Sequence, residues 1–118
     1  MFKNLPVERP LVELARIESL KQTLEGNPDN AFARYALALE LANSPRSEEA
    51  WAHFEYLLAH NPDYAATYFQ AGMYLARLGR RAGARQIFEK GIEVTGRQGD
   101  QHAQSELQAA LDDLAADL

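Results

Sequence analysis

The sequence predicts an all-α protein in which antiparallel helix hairpins stack as a short α-solenoid of about six helices. The run Asn27-Pro28-Asp29 recurs as Asn61-Pro62-Asp63 at a distance of 34 residues, and a repeat of that length is typical of helical arrays. Apolar residues recur at helical spacing, whereas no Asn-Gly turn and no strand-length alternation of apolar and polar residues occurs. Helices joined by loops of about 2–6 residues are expected to lie antiparallel beside each other.

The composition indicates a soluble globular protein. Of 118 residues, 47% are hydrophobic and 25% are charged, close to the usual values of about 45–50% and about 25%. The N-terminal segment lacks the apolar core of a secretory signal, and no apolar run is long enough to cross a bilayer. A cytoplasmic protein without membrane partners is therefore expected. The absence of cysteine excludes a disulfide framework and a thiolate metal site.

The N-terminal part of the chain is expected to form a tail and one helix. Residues 1–9 contain Pro6 and are interpreted as a loosely held tail. The helix is expected to begin at Pro10, which suits a first helical turn, and to end at Gly26 in the left-handed conformation. Its apolar stripe comprises Leu14, Ile17, Leu20 and Leu24.

Two further helices are expected between the two recurring turns. Asp29 or Asn30 can cap the second helix, which should span roughly 30–43 and is apolar on nearly every face. Ser47 is the expected N-cap of the third helix, which should end near His60. The residues expected to be buried on the third helix are Ala50, Trp51, Phe54, Leu57 and Leu58.

Glycines are expected to follow the fourth and fifth helices. The fourth, over about 64–78, should end at Gly79. The fifth should span about 81–94, and Gly96 and Gly99 should interrupt the chain beyond it. The residues expected on their buried faces are Tyr68, Ala71, Gly72 and Leu75 in the fourth helix, and Ala84, Ile87, Phe88 and Ile92 in the fifth.

Residues 31–64 and 65–98 carry related residues at matching offsets. In the first unit these are Arg34, Leu37, Ala38, Leu41, Ala50, Phe54 and Pro62. In the second they are Tyr68, Ala71, Gly72, Leu75, Ala84 and Phe88. The pattern resembles the tetratricopeptide repeat (TPR), a helix–turn–helix motif of about 34 residues. Small residues such as Gly72 stand where paired helices must approach closely, whereas Arg34 replaces the large aromatic residue of the pattern and Gly96 its closing proline.

The resemblance implies a single TPR-like domain over 10–118 that follows the tail. A helix over 10–26 would supply half a repeat, and 31–64 and 65–98 would be the two repeats. Asp100 is the expected N-cap of a last helix over 100–118, which is interpreted as a solvent-facing cap. The apolar stripe of this helix is out of frame with the repeats, since the 34-residue register would point His102, Ser105 and Glu106 inward. The residues of the stripe are Ala103, Leu107, Ala110, Leu111, Leu114 and Leu118.

The resemblance also implies a protein-interaction module or scaffold rather than an enzyme. In this family the first helix of each pair lines a concave groove that holds a peptide or protein segment. The matching positions here are Phe32, Tyr35, Ala36, Leu39, Asn43, Phe69, Gln70, Met73 and Arg77. A surface this rich in apolar and aromatic residues is typical of a binding site.

Two other occupants of that groove are open alternatives to an external partner. A second copy of the chain could fill it, because about three repeats are commonly needed for a stable solenoid and this chain has fewer. The last helix, or the tail through Phe2 and Leu5, could cover it within the monomer. The carboxylate clamp by which some family members grip acidic chaperone termini is not expected. Its positions here are Tyr35, Leu39, Gln70 and Ala66.

The net charge of −5 is unevenly distributed, with +4 over 77–97 and −5 over 98–118. The basic cluster comprises Arg77, Arg80, Arg81 and Arg85. It could bind an acidic partner or phosphate groups, or it could be a solvated turn in which Arg85 pairs with Glu89 along one helix. The negative net charge of the whole chain argues against a nucleic-acid partner.

No catalytic or metal-binding constellation is expected. His53, His60 and His102 stand far apart in the sequence, and His53 and His60 would lie about two helical turns apart. The chain has no glycine-rich phosphate loop and no hydrolase or metalloprotease motif. The sequence therefore predicts a protein with no enzymatic activity, no cofactor and no metal.

Overall fold

The computed structural model describes residues 8–116, which form six α-helices and no strand. The helices are α1 (Glu8–Gly26), α2 (Ala31–Ala42), α3 (Ala50–His60), α4 (Ala66–Arg77), α5 (Arg81–Gln98) and α6 (Gln101–Ala116). A short 3-10 turn, Ser47–Glu49, precedes α3. The prediction of an all-α chain with about six helices is confirmed.

The chain divides into two compact units between His53 and Phe54, inside α3. The core of the first unit comprises Ile17, Leu24, Ala33, Leu37, Ala38, Leu41 and Ala50. The core of the second comprises Phe54, Leu57, Tyr68, Ala71, Tyr74, Leu75, Ala84, Phe88, Val94, Leu107 and Leu114. The division of the sequence into a half-repeat, two repeats and a cap stays a prediction.

The two Asn-Pro-Asp turns are closed by the same backbone bonds. The Asn30 amide donates to the Asn27 carbonyl at 3.1 Å, and the Tyr64 amide donates to the Asn61 carbonyl at 3.0 Å. A side chain also reaches back to the proline carbonyl of each turn, and these contacts are Arg34 Nη2 to Pro28 O (3.0 Å) and Tyr68 Oη to Pro62 O (2.5 Å). Although Arg34 departs from the repeat pattern, it therefore makes the bond that the aromatic residue makes one repeat later.

The predicted helix ends are confirmed at three positions, which are Asn30, Gly79 and Asp100. The Asn30 side chain accepts from the Ala33 amide at 3.0 Å, and the Asp100 side chain accepts from the Ala103 amide at 3.1 Å. Each therefore satisfies an otherwise free amide in a first helical turn. The glycines Gly79 and Gly99 follow α4 and α5 with φ angles of 76° and 71°, in the left-handed region that favours glycine.

Several predicted boundaries are wrong. The first helix begins at Glu8 rather than Pro10, because a proline is accepted within a first helical turn. Gly26 is the last residue of α1 and does not have a positive φ. Ser47 opens a 3-10 turn instead of capping a regular helix. The fifth helix does not stop near Val94 but continues through Gly96 to Gln98.

Burial differs from the predicted stripes at a few positions. Leu14 is 46% exposed, and Trp51 is only half-buried. In contrast, the sequence analysis missed Thr67, Tyr74 and Thr95, which are buried because α4 and α5 are covered on more than one face. On α6, Leu107 and Leu114 are buried, while His102, Ser105 and Glu106 are exposed as predicted from the shifted register. Leu118 and the tail residues 1–7 lie outside the described residues.

Candidate peptide-binding groove

The nine residues predicted to line the groove lie on α2, with its C-cap Asn43, and on α4, and these two helices belong to different units. On α2, Phe32 is 69% exposed and Asn43 is exposed. On the same helix Tyr35, Ala36 and Leu39 are half-buried. On α4, Met73 and Arg77 are exposed, whereas Phe69 and Gln70 are half-buried. Their grouping into one continuous groove stays a prediction.

Within the second unit, the side chains of α4 and α6 border a cavity of about 370 Å³. We call it the α4/α6 groove. From α4 and α5 it is lined by Phe69, Met73, Ala76 and Phe88. From α6 it is lined by Glu106, Ala109, Ala110, Asp113 and Leu114. Two of the predicted residues, Phe69 and Met73, therefore face this groove, while Gln70 and Arg77 do not line it.

Glycines in α4 and α5 allow the close packing that shapes the groove. A Cβ atom at Gly72 would lie within 3.0 Å of three ring carbons of Phe88. One at Gly91 would lie 2.6 Å from the Cβ of Tyr68 and 3.0 Å from the Cδ1 of Leu107. Because Tyr68 is on α4 and Leu107 on α6, both neighbours reach the backbone of α5 at the same place. Packing of both side chains against Gly91 thus fixes the distances of α4 and α6 from α5.

Polar contacts also hold α6 against α5. Near the end of α6, the Arg81 guanidinium donates to the Leu114 carbonyl. Near its beginning, Nε2 of Gln104 donates to the Ile92 carbonyl at 3.4 Å. The buried residues Leu107 and Leu114 are seven positions apart and so lie on one face of α6. Glu106 and Asp113, which precede them, consequently occupy the edge of that face, beside the groove.

The edge that α6 contributes to the groove is acidic. This helix contains Glu106, Asp112 and Asp113 and no lysine or arginine. Glu106 lies 3.5 Å from His102, a pair that is ionic only when the histidine is protonated. Among the described residues, no lysine or arginine nitrogen lies within 4.0 Å of the Glu106 or Asp113 carboxylate. Within the described part of the chain, the groove therefore joins an apolar floor to a negative edge whose carboxylates form no ion pair with a lysine or arginine. The sequence indicated the negative charge of residues 98–118 but did not place Glu106 and Asp113 beside Phe69 and Met73.

The basic cluster at the α4–α5 turn is partly engaged within the protein. The predicted pair of Arg85 and Glu89 is present at 3.4 Å on exposed side chains. Arg81 is held by the carbonyl at the end of α6. Exposed ion pairs of this kind contribute only about 0–1 kcal/mol to stability.

The three histidines lie in separate surroundings. His53 Nδ1 stands 3.2 Å from Arg34 Nη1, and burial lowers the pKa of His53, with a further lowering from the charges of Arg34 and Lys21. The ring of His60 stacks on Tyr56 with centroids 4.0 Å apart. The part of the chain that the structure describes contains no group of three or more histidine, aspartate or glutamate side chains placed to hold a metal ion. Over residues 8–116, no helix is long and apolar enough to span a membrane.

Comparison with known proteins identifies a group of small TPR proteins. No protein-family model matches the chain. The TPR repeat-containing protein PA0015 of Pseudomonas aeruginosa is 31% identical over 95 residues, which cover 80% of this chain and 90% of that protein. The solution structure of a tetratricopeptide repeat domain protein from Salinibacter ruber is 39% identical, with a TM-score of 0.71 over 75% of this chain and 89% of the other.

A second solved structure extends this similarity over more of the chain. The solution structure of protein BPP2914 from Bordetella parapertussis is 33% identical, with a TM-score of 0.74 over 86% of this chain and 88% of the other. Similar sequences and similar helical folds thus coincide over most of the chain. The chain belongs to the tetratricopeptide repeat family, whose fold serves generally as a protein-interaction module.

Proposed function

We propose that this chain is a non-enzymatic protein-interaction module whose α4/α6 groove binds a peptide or an extended segment of a partner protein. The observation that carries the proposal is the open apolar surface at Phe69 and Met73, which line a cavity of about 370 Å³. Such a volume accommodates one or two large side chains, and aromatic and methionine residues are common anchors at binding surfaces. Met73 is 36% exposed, so its flexible thioether is accessible from solvent.

The predicted residues of α2 belong to the same proposal. Phe32 is the most exposed large apolar side chain among the described residues, at 69%. Tyr35 and Leu39 are half-buried, and Asn43 is exposed at the end of the helix. These side chains are proposed as a partner-binding surface of the first unit. We also assign the protein to the cytoplasm, without a cofactor and without nucleic-acid or membrane partners, in keeping with its net charge of −5 and its lack of cysteine.

Selection from a library of random short peptides tests the proposal. A peptide selected by the wild-type protein is expected to lose most of its affinity for Phe69→Glu/Met73→Glu, because a carboxylate would be placed on the apolar floor of the groove. Leu78→Glu is the matched control, since Leu78 is a 50% exposed apolar residue at the end of α4 that does not line the groove. Unchanged affinity in the groove variant, or an equal loss in the control, would show that the peptide binds elsewhere.

Self-association is the second candidate function, and it is favoured by an apolar patch on α1. Leu11, Val12 and Leu14 are 62%, 50% and 46% exposed. Exposed neighbouring apolar residues of this kind often mark an interface. Light scattering on a size-exclusion column measures the oligomeric state, and a monomer at every concentration would remove this candidate.

A further inference from the structure

The α4/α6 groove has a chemical asymmetry that restricts its partners. Phe69 and Met73 form an apolar floor, and Glu106 and Asp113 stand along the α6 edge. We propose that the groove selects a segment in which a large apolar side chain is flanked by lysine or arginine, so that the cations meet the two carboxylates. This inference rests on the proposed function, since it specifies the partner of the same groove.

Both carboxylates are available to an incoming cation. Glu106 and Asp113 are exposed, and α6 has no lysine or arginine that could neutralise them. The only ionic neighbour of Glu106 among the described residues is His102, at 3.5 Å. A lysine or arginine from a partner would therefore form a new ion pair with Asp113 without displacing an existing one, and at Glu106 it would compete only with His102. Because the apolar floor excludes water on one side, such pairs would be screened less than pairs on an open surface.

The spacing of the acidic residues defines the arrangement of cations that fits. Glu106 and Asp113 are seven residues apart, which is about 10.5 Å along a helix axis. In an extended segment, the side chains at positions i and i+4 lie on the same side about 13 Å apart, and the long lysine and arginine side chains can adjust to the spacing of the two carboxylates. Between the two carboxylates, Ala109 and Ala110 line the groove with small side chains. They leave room for an apolar side chain placed between the cations to reach Met73.

The opposite side of α6 differs in its charges. There, Arg81, Arg85, Glu89 and Asp112 line a second groove, between α5 and α6. Glu89 is paired with Arg85 at 3.4 Å, and Asp112 accepts a hydrogen bond from Gln108 at 3.0 Å. These carboxylates already have partners in the protein, so this side has no net negative edge. The carboxylates of the α4/α6 groove should therefore attract a cation more strongly than Glu89 and Asp112, which share their groove with Arg81 and Arg85.

Peptide selection with two charge variants tests the inference. The wild-type protein should enrich random peptides for lysine and arginine beside a large apolar residue. Glu106→Gln/Asp113→Asn should lose the cationic preference and keep the apolar one. For a peptide selected by the wild type, we expect the Kd to rise about 3- to 10-fold in this variant, with a weaker dependence on sodium chloride. The matched control, Glu89→Gln/Asp112→Asn, removes two carboxylates from the other groove and should leave the Kd unchanged.

The outcomes separate this inference from the proposed function. If the selected peptides bind through Phe69 and Met73 but show no cationic enrichment, the charge preference is wrong and the groove remains the binding site. An equal rise of the Kd in both charge variants would also overturn the preference, since it would reflect only the overall charge of the protein. If no peptide binds, or if Phe69→Glu/Met73→Glu leaves binding intact, both proposals fail. Thermal unfolding followed by circular dichroism checks that each variant is folded.

Discussion

Gly72 links the stability of the protein to the shape of its groove. A side chain at this position of α4 would lie within 3.0 Å of three ring carbons of Phe88. The Phe88 ring is almost fully buried and also lines the α4/α6 groove. A methyl group at position 72 would therefore push the ring toward the groove or separate α4 from α5. Either movement disturbs packing that is otherwise close to that of an organic crystal.

Gly72→Ala is expected to destabilise the protein by about 1–3 kcal/mol, the usual effect of overpacking a buried site, despite the better helix propensity of alanine. Gly26→Ala is the matched control, because nothing lies within 4 Å of a Cβ at Gly26 and its φ is not positive. The control should be neutral or slightly stabilising. Urea unfolding gives both values, and equal effects would contradict the close contact with Phe88.

His53 introduces a dependence of stability on pH. Burial lowers its pKa, and the nearby charges of Arg34 and Lys21 lower it further. Since the neutral ring is favoured in the folded state, the folded protein binds fewer protons at this site than the unfolded chain does. The contribution of His53 to stability is thus complete above the pKa of the unfolded chain, about 6.5, and declines as the pH falls below it.

The free energy of unfolding should therefore fall more steeply in the wild type than in His53→Gln as the pH is lowered from about 7 to about 5.5. Glutamine keeps a polar group that can accept a hydrogen bond from Arg34 but does not titrate. Urea unfolding at a series of pH values measures the two slopes. Identical slopes would mean that His53 has the same pKa in the folded and unfolded states.

At the scale of elements, each Asn-Pro-Asp turn accepts a hydrogen bond from a side chain of the helix that follows it, and the two side chains differ chemically. Arg34 binds the Pro28 carbonyl in one turn, and Tyr68 binds the Pro62 carbonyl in the other. Both side chains come six residues after the proline that they contact. The repeat therefore preserves a hydrogen bond at this position while the residue type changes.

Tyr68→Phe removes one of these bonds while keeping the buried ring, and it is expected to destabilise the protein by about 0.5–1.5 kcal/mol. Arg34→Met removes the other bond together with the contact between Arg34 and His53, and it keeps most of the aliphatic stem, so we expect a loss of at least similar size. Chemical denaturation of each variant against the wild type gives the two values. Wild-type stability in both variants would show that the backbone bonds alone close the turns.

Helix positions could be predicted from the sequence more reliably than helix ends. The caps at Asn30 and Asp100 were predictable because their side chains act locally on the next amides. Gly96 misled the prediction, since a glycine within a helix costs only about 1 kcal/mol and tertiary packing can offset that. Val94 and Thr95 are fully buried, and this packing carries α5 past Gly96 to Gln98. The pattern of neighbouring residues in the sequence does not indicate such a tertiary contact.

At the scale of the whole molecule, the sequence predicted the family but only part of the candidate groove. The register of the repeat identified Phe69 and Met73, and both line the α4/α6 groove. It did not identify Glu106 and Asp113, because α6 is out of frame with the repeats and its partner face could not be assigned by register. The available signal was the seven-residue spacing of the two acids around two alanines, which places all four near one edge of a helix.

The central claim is that the α4/α6 groove binds a partner segment, and amide chemical-shift mapping tests it most directly. A peptide selected by the wild-type protein is titrated into the isotopically labelled full chain. We expect the largest shift changes in α4 around Phe69 and Met73 and in α6 from Glu106 to Asp113. The titration curves of these amides should give the same Kd as calorimetry. Changes confined to α1, or to the face of α5 around Arg85 and Glu89, would contradict the claim.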